Sequence, residues 1–161
     1  MRRWVGLAAV VVVIDQLVKW WIVANFAYGD EKPVLPVLSI VRWHNEGAAF
    51  SMLSNAGGWQ RWFFIALALA FVVFILYELR RLPTGERIMG WVYGLILGGA
   101  IGNLIDRAVN GYVVDFVLVH WGTWYFPAFN VADAALSIGA ALWIWVMIAE
   151  ALRERRKEAA R

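Results

Sequence analysis

Four long apolar runs divide this chain, at 4–24, 59–79, 88–105 and 131–152. Each is close to the roughly 20 residues that carry an α-helix across the hydrocarbon core of a bilayer, so each predicts a membrane span. The first run follows Arg2 and Arg3 and is interrupted by Asp15 and Lys19. A cleaved signal peptide also begins on basic residues, but here two charges would fall inside its apolar core and no clean Ala-x-Ala site follows. The run therefore reads as an uncleaved first helix. The second run ends on Arg80-Arg81, and Pro83-Thr84-Gly85 turns the chain into the third. The third carries Gly90, Gly94, Gly98 and Gly102, a spacing that lays a smooth stripe along one helix face where a neighbour's backbone can approach closely. No strand pattern precedes these glycines, which removes a phosphate-binding loop as their explanation.

Between the spans the pattern changes. In 26–58, Pro33 and Pro36 break helix, Val37 to Trp43 is β-prone, and Asn45-Glu46-Gly47 is a turn signal ahead of Ala48-Ala49-Phe50. Asn55-Ala56-Gly57-Gly58 marks another break. This region predicts a small sheet or hairpin lying against one membrane face. The stretch 106–129 holds Trp121, Trp124, Tyr125 and Phe126 and predicts an aromatic loop dipping into the interface. The expected fold class is an all-α membrane protein, with four transmembrane helices and a small β-rich region, forming one domain over 1–161.

Composition supports the membrane reading. Hydrophobic residues make up 62% of the chain, against about 45–50% in a soluble domain. Eleven Trp and 16% aromatic residues suit interfacial belts at both bilayer faces. There is no cysteine, which excludes disulfide and thiolate chemistry. The net charge of +3 comes mostly from a few basic clusters. Ten of the 15 Lys and Arg (Arg2, Arg3, Arg80, Arg81, Arg87, Arg153, Arg155, Arg156, Lys157 and Arg161) flank one side of the four spans. Membrane anchoring accounts for them without a nucleic-acid partner. By the positive-inside rule both termini and the 80–87 turn are then cytoplasmic, and 26–58 and 106–129 lie outside. Glu78, Glu86, Glu150 and Glu154 neighbour the cytoplasmic arginines and read as solvated.

Asp15, Asp106, Asp115 and Asp133 fall on the other side. An acid near lipid is costly and calls for a reason. Asp115 and Asp133 are candidates for a pair that shares one proton, the ionised member activating water and the protonated member polarising a peptide carbonyl. Each also has a plainer reading. Asn130-Val131-Ala132-Asp133 has the form of a capping box, which is compatible with catalysis because a cap also fixes geometry. Asp115 also reads as an ordinary loop carboxylate. Asn103 and Asp106 share a helix face; they form either a polar helix end from which Arg107 snorkels to the interface or a frame that orients the pair. Asp15 and Lys19 are an i, i+4 ion pair in the favourable order. The segment from Asn45 to Phe50 is either a tight turn or a source of backbone donors and a gate, closing with the 120–129 segment.

Other chemistries fit poorly. The two His, His44 and His120, form no His-Glu-x-x-His, and Gly-x-Ser-x-Gly and Gly-x-Gly-Asp are absent. A proton-coupled transporter using the four acids as a relay and a purely structural membrane subunit are the rival readings. The first sits badly with acids gathered on one side, and the second gives no reason for that gathering.

Taken together, Asp15 and Lys19, Asn45-x-Gly47-Ala48-Ala49-Phe50, Gly102-Asn103-x-x-Asp106-Arg107, Val114-Asp115-Phe116 and Phe126-Pro127-Ala128-Phe129-Asn130-x-Ala132-Asp133 resemble the lipoprotein signal peptidase family, signal peptidase II. The match runs through nearly the whole chain. The resemblance implies a four-helix protease of the bacterial inner membrane with a periplasmic β-rich cradle. It implies cleavage just before the diacylglyceryl-modified cysteine of a prolipoprotein, with catalysis by Asp115 and Asp133. It implies supporting or substrate-binding roles for Asp15, Lys19, Asn45, Gly47, Asn103, Asp106, Arg107 and Asn130. It further implies no metal or other cofactor, membrane lipid as a partner, and inhibition by globomycin-type cyclic peptides.

Overall fold

The computed structural model describes residues 1–47 and 59–159. Its elements in chain order are α1 (Arg2–Asn25), β1 (Glu31–Leu35), β2 (Leu38–Asn45), α2 (Trp59–Arg81), α3 (Arg87–Val109), β3 (Val113–Trp121), β4 (Trp124–Tyr125) and α4 (Val131–Ala159). All four helices are long and apolar enough to cross a membrane. The expected sheet region is present as β1 and β2, whereas Ala48-Ala49-Phe50 and the break expected at 55–58 lie outside the described residues. At 29 residues α4 runs seven residues past the expected end. It is about 43 Å long at about 1.5 Å per residue, more than a hydrocarbon core of about 30 Å requires, so its basic end stands clear of the apolar layer.

α3 is the centre of the bundle. Twelve of its 23 residues are buried, against three of 23 in α2, whose outer face is left for lipid. The glycine stripe explains this. A Cβ on Gly90 would collide with the Trp4 indole, and one on Gly94 would lie 2.8 Å from Leu7 Cδ2. On Gly98 it would lie 2.7 Å from Val11 Cβ and 2.9 Å from the Ala8 carbonyl oxygen, and on Gly102 it would lie 2.8 Å from the Asp15 carboxylate. The four glycines thus follow α1 in parallel, from Trp4 up to Asp15. On the opposite flank Gly99 abuts the Ala132 carbonyl of α4, and Gly139 of α4 receives Ile96. Trp4, Ala8, Ile75, Leu79, Val92, Tyr93, Ile96 and Leu97 fill the space between α1, α2 and α3.

The sequence reading of 106–129 as a loop is corrected by the structure. α3 continues four residues past the expected end at Ile105, stops at Val109, and passes through Asn110 to Gly111. Gly111 has φ 87° and donates its N–H to the Arg107 carbonyl, a left-handed cap that suits glycine. The chain then enters β3. The run Val113-Val114-Asp115-Phe116-Val117-Leu118-Val119 is a β-branched stretch buried at most positions, and an interior acid disguised it as a loop. β3 pairs antiparallel with β2, and the four strands form one sheet in the order β1-β2-β3-β4. Pro33 is tolerated because β1 is an edge strand. The sheet therefore joins two connections remote in sequence, both at the same end of the bundle. Ile22 of α1 packs with Val114 and Phe116 to seat the sheet on the helices.

Because α1 and α3 meet backbone to side chain at Gly98, Gly98→Ala is expected to cost roughly 1–3 kcal/mol of overpacking. It should lower the apparent Tm in detergent, read by tryptophan fluorescence. Gly6→Ala is the control, since nothing lies within 4 Å of its Cβ, and it should not lower Tm.

Candidate active site

At the sheet end of the bundle, side chains from α1, α3, β2, β3 and α4 converge. β2 and β3 are in register with Trp43 opposite Asp115 and Asn45 opposite Val113, after an irregularity between Ile40 and Trp43. Such a bulge re-aims the strand end, and Asn45 Nδ2 reaches Asp115 Oδ2 at 3.1 Å. The segment entering α4 is laced to the far edge of β3. Phe116 and Val117 donate their N–H groups to the Phe129 carbonyl, and Phe129 donates to the Val117 carbonyl. That lacing delivers Asn130 to Asp115.

Asn130 is the joint between the two carboxylates. Its Nδ2 donates to Asp115 Oδ1 at 2.7 Å. Its Oδ1 accepts the Asp133 N–H at 2.9 Å, and its own N–H donates to Asp133 Oδ2 at 3.3 Å. The last two bonds are the reciprocal pair of a capping box, so the capping reading of Asn130 and Asp133 holds. Asp133 stands in the first turn of α4 with its Oδ1 accepting from Asn103 Nδ2 at 2.7 Å. Asp115 and Asp133 line one cavity of about 460 Å³. Its wall is largely apolar, with Trp43, Val113, Phe126, Phe129 and Leu136 beside the polar Asn45, Asn103 and Arg107.

The pair is unequal. Asp115 is buried, 3% exposed, whereas Asp133 is half-buried. Burial pushes the Asp115 carboxyl up to about 7. The negative charge of Asp133 pushes it the same way, and the Asn45 and Asn130 amides and the Lys19 charge pull it partly back. His44, stacked on Tyr112 with ring centroids 3.8 Å apart, is lowered by burial and then by Arg42, so it forms a neutral wall of the cavity at pH 7.

Behind the pair lies a buried ionic cluster. Lys19 Nζ contacts Asp15 Oδ2 at 2.8 Å and Asp106 Oδ2 at 3.1 Å, and it donates to Asn103 Oδ1 at 3.1 Å. The expected Asp15–Lys19 pair is therefore present and extends to α3. Asp15 Oδ1 also accepts the Ala132 N–H at 2.8 Å, and Asp106 Oδ2 accepts the Val114 N–H at 3.0 Å. Asn103 and Asp106 are thus a buried frame and not a solvated helix end. Arg107 does not snorkel outward. It is half-buried, lines the cavity and donates to the Gly47 carbonyl at 2.9 Å. Gly47 in turn donates its N–H to Asn45 Oδ1 at 3.1 Å, closing an Asx-type turn. Ala48, Ala49 and Phe50 lie outside the described residues.

Three contributors escaped the sequence reading. Gln16 Nε2 reaches Asp106 Oδ1 at 3.0 Å and the Gly102 carbonyl at 3.2 Å; a lone amide beside Asp15 in an apolar helix was the available signal. Arg61 donates to the Arg107 and Ala108 carbonyls at 2.9 and 2.8 Å, capping α3. Ser137, one turn beyond Asp133, lines the cavity. Of the four acids expected on the cytoplasmic side, Glu86, Glu150 and Glu154 are exposed and Glu78 is half-buried.

The family model described as signal peptidase (SPase) II matches residues 7–149. The lipoprotein signal peptidase of Janthinobacterium sp. (strain Marseille) is 47% identical over 145 residues, covering 90% of this chain and 87% of that protein. That of Shewanella woodyi is 47% identical over 142 residues, covering 88% and 81%. A solved bacterial membrane enzyme superposes with a TM-score of 0.85 at 31% identity, over 94% of this chain and 90% of its own. A second gives 0.78 at 30% identity, over 91% and 93%.

The raised carboxyl of Asp115 ties stability to pH. A folded-state value of about 7 against the ordinary 3.8 means that protonated Asp115 favours the fold below about 4 and that this contribution is lost as pH rises through 7. The apparent Tm of the wild type relative to Asp115→Asn should therefore fall between pH 4 and 8. A constant difference across that range would show that Asp115 is ionised throughout.

Proposed function

The chain belongs to the signal peptidase II family, peptidases that process prolipoproteins, and we propose that Asp115 and Asp133 are the acid pair by which it does so. The substrate in this reading is a prolipoprotein carrying a diacylglyceryl-modified cysteine, cut on the N-terminal side of that cysteine. The observation that carries the reading is Asn130, which hydrogen-bonds Asp115 through its side chain and locks Asp133 in a capping box, with both carboxylates facing one cavity.

Two carboxylates that feel one another do not both ionise readily, so the pair holds one proton. Asp115, held up near 7 by burial, keeps that proton. Asp133 carries the charge, favoured by the N-terminal dipole of α4 and by the Asn103 amide. Water attacks the scissile carbonyl carbon as Asp133 takes one of its protons. Asp115 hydrogen-bonds the carbonyl oxygen and then supplies the proton that leaves with the amine as the C–N bond breaks. The pair ends with one proton, now on Asp133, and resets by exchange with solvent.

Asn45, Asn103 and Asn130 aim the carboxylates. Lys19, itself held by Asp15 and Asp106, holds the Asn103 amide, and Arg107 with Gly47 closes the cavity's polar side. The apolar wall suits a signal-peptide segment, and a membrane-resident substrate explains a site at one end of a helical bundle. In this reading both termini lie in the cytoplasm, as the basic clusters favour, and the site lies at the outer surface of a bacterial inner membrane. Globomycin-type cyclic peptides and membrane lipid are the further partners in this reading. The gathering of the acids at one end counts against a proton relay across the bilayer.

Asp115→Asn and Asp133→Asn should each reduce cleavage of a lipid-modified prolipoprotein in detergent by at least about 10³-fold, as loss of a principal catalytic group does. Both variants should still fold, shown by a cooperative melting transition, and should bind inhibitor. Activity retained by either would remove the pair. The pH–rate profile should be bell-shaped, with its alkaline limb near pH 7 where Asp115 loses its proton, and a chelator should leave the rate unchanged. A single sigmoid would contradict a shared proton, and inhibition by the chelator would reintroduce a metal.

A further inference from the structure

We infer that Lys19 is a positioning residue for the acid pair, acting through Asn103 to fix which way the amides face. This rests on the acid-pair reading above. The polarity of an asparagine amide is decided by its neighbours, and here Lys19 decides it. The three N–H bonds of the Lys19 ammonium point to Asp15 Oδ2, Asp106 Oδ2 and Asn103 Oδ1, at 2.8, 3.1 and 3.1 Å. Lys19 is buried, 3% exposed, so those three oxygens stand in for water.

With its carbonyl oxygen held by a cation, Asn103 must present Nδ2 on the other side, and there it meets Asp133 Oδ1 at 2.7 Å. Reversed, the amide would set an oxygen against a carboxylate and N–H groups against an ammonium. The same oxygen accepts Asn130 Nδ2 at 3.3 Å, in the sense that the Asp133 N–H on Asn130 Oδ1 also sets, so the second amide donates to Asp115 Oδ1. One cation thus directs the Asn103 amide and, through its oxygen, supports the second amide of a chain ending on both carboxylates. Hydrogen bonds in series polarise one another in a low-dielectric interior. Asp133 receives the amide in direct contact with the ammonium, whereas Asp115 is served by Asn45 and Asn130, neither of which bonds Lys19. The arrangement is asymmetric in the sense that makes Asp133 the base.

The competing role for Lys19 is as a counter-ion for two buried carboxylates. The test separates the two by keeping the cluster's net charge. The native Lys19, Asp15 and Asp106 sum to −1, and Lys19→Met/Asp106→Asn, leaving Asp15, also sums to −1. Measured with lipid-modified prolipoprotein in detergent, this double variant should lose roughly 10- to 100-fold in kcat, the scale of a misaligned catalytic group, with KM unchanged. Asn103→Ala should lose a similar amount. Adding Asn103→Ala to the double variant should cost nothing further, because both changes cut the same link. The neutral triple variant Lys19→Met/Asp15→Asn/Asp106→Asn provides a second background in which no buried charge is left unpaired.

Either background folded, by its melting transition, and retaining wild-type kcat would overturn the inference. So would losses that multiply in combination with Asn103→Ala. If neither background folds, Lys19 is a structural counter-ion and the inference also falls. Asp115→Asn and Asp133→Asn run alongside distinguish the two failures: if they are inactive while the Lys19 variants are active, only the inference is lost, and if they are active the acid pair itself is lost.

Discussion

An ammonium group shut away from water must be surrounded by protein oxygens, and that requirement shapes one end of this molecule. Lys19 draws Asp15 of its own helix, and Asp106 and Asn103 of α3, into contact. The carboxylates then need more donors than one cation supplies, because a buried charge is tolerated when both paired and hydrogen-bonded. They take them from the Ala132 N–H at the start of α4, the Val114 N–H in β3 and the Gln16 amide. Three helices and a strand are pinned together by the need to satisfy three charges. The close approach that this demands is possible because Gly102 leaves room for the Asp15 carboxylate.

The cavity is the outcome of two different kinds of order. Its polar side is set by that network, whose members are nearly all interior, and its apolar side by strand pairing and the lacing of Phe129 along β3. Asp115 belongs to the strand and Asp133 to the helix, so their relation depends on the segment that joins them. Asn130 governs that segment: fully buried, it bonds the strand's carboxylate and opens the helix that carries the other. Catalytic geometry in the proposed mechanism is therefore fixed by backbone architecture, with side-chain amides supplying the final aim.

The spans were legible because length and apolarity decide membrane crossing almost alone, and the glycine stripe was legible because a period of four has few other uses. The capping box was readable from local spacing. β3 was not, because its strand character rests on pairing with β2, about 70 residues earlier, and Asp115 broke the apolar run that would have signalled it. Spacing left the place of Arg107 open for a related reason. An arginine at a helix end beside lipid ordinarily reaches for the interface, and here the Gly47 carbonyl, brought in by the β2 turn, offers a better partner. Gln16 and Arg61 act on groups more than 40 residues away. Local pattern can flag such a side chain, as the lone amide of Gln16 in an apolar helix does, but does not name its partner.

The sheet carries a consequence for how the protein comes into being. β2 emerges during synthesis well before β3, and α4 follows both. Domains form from the N-terminus as the chain is made, so a nascent chain with three helices inserted holds Asp115 without Asp133, and Lys19 without the Ala132 N–H that helps to hold Asp15 in place. In the proposed mechanism hydrolytic competence is thus the last property the polypeptide acquires. By that mechanism a half-made copy stalled in the bilayer would be inert, whatever substrates drift past it.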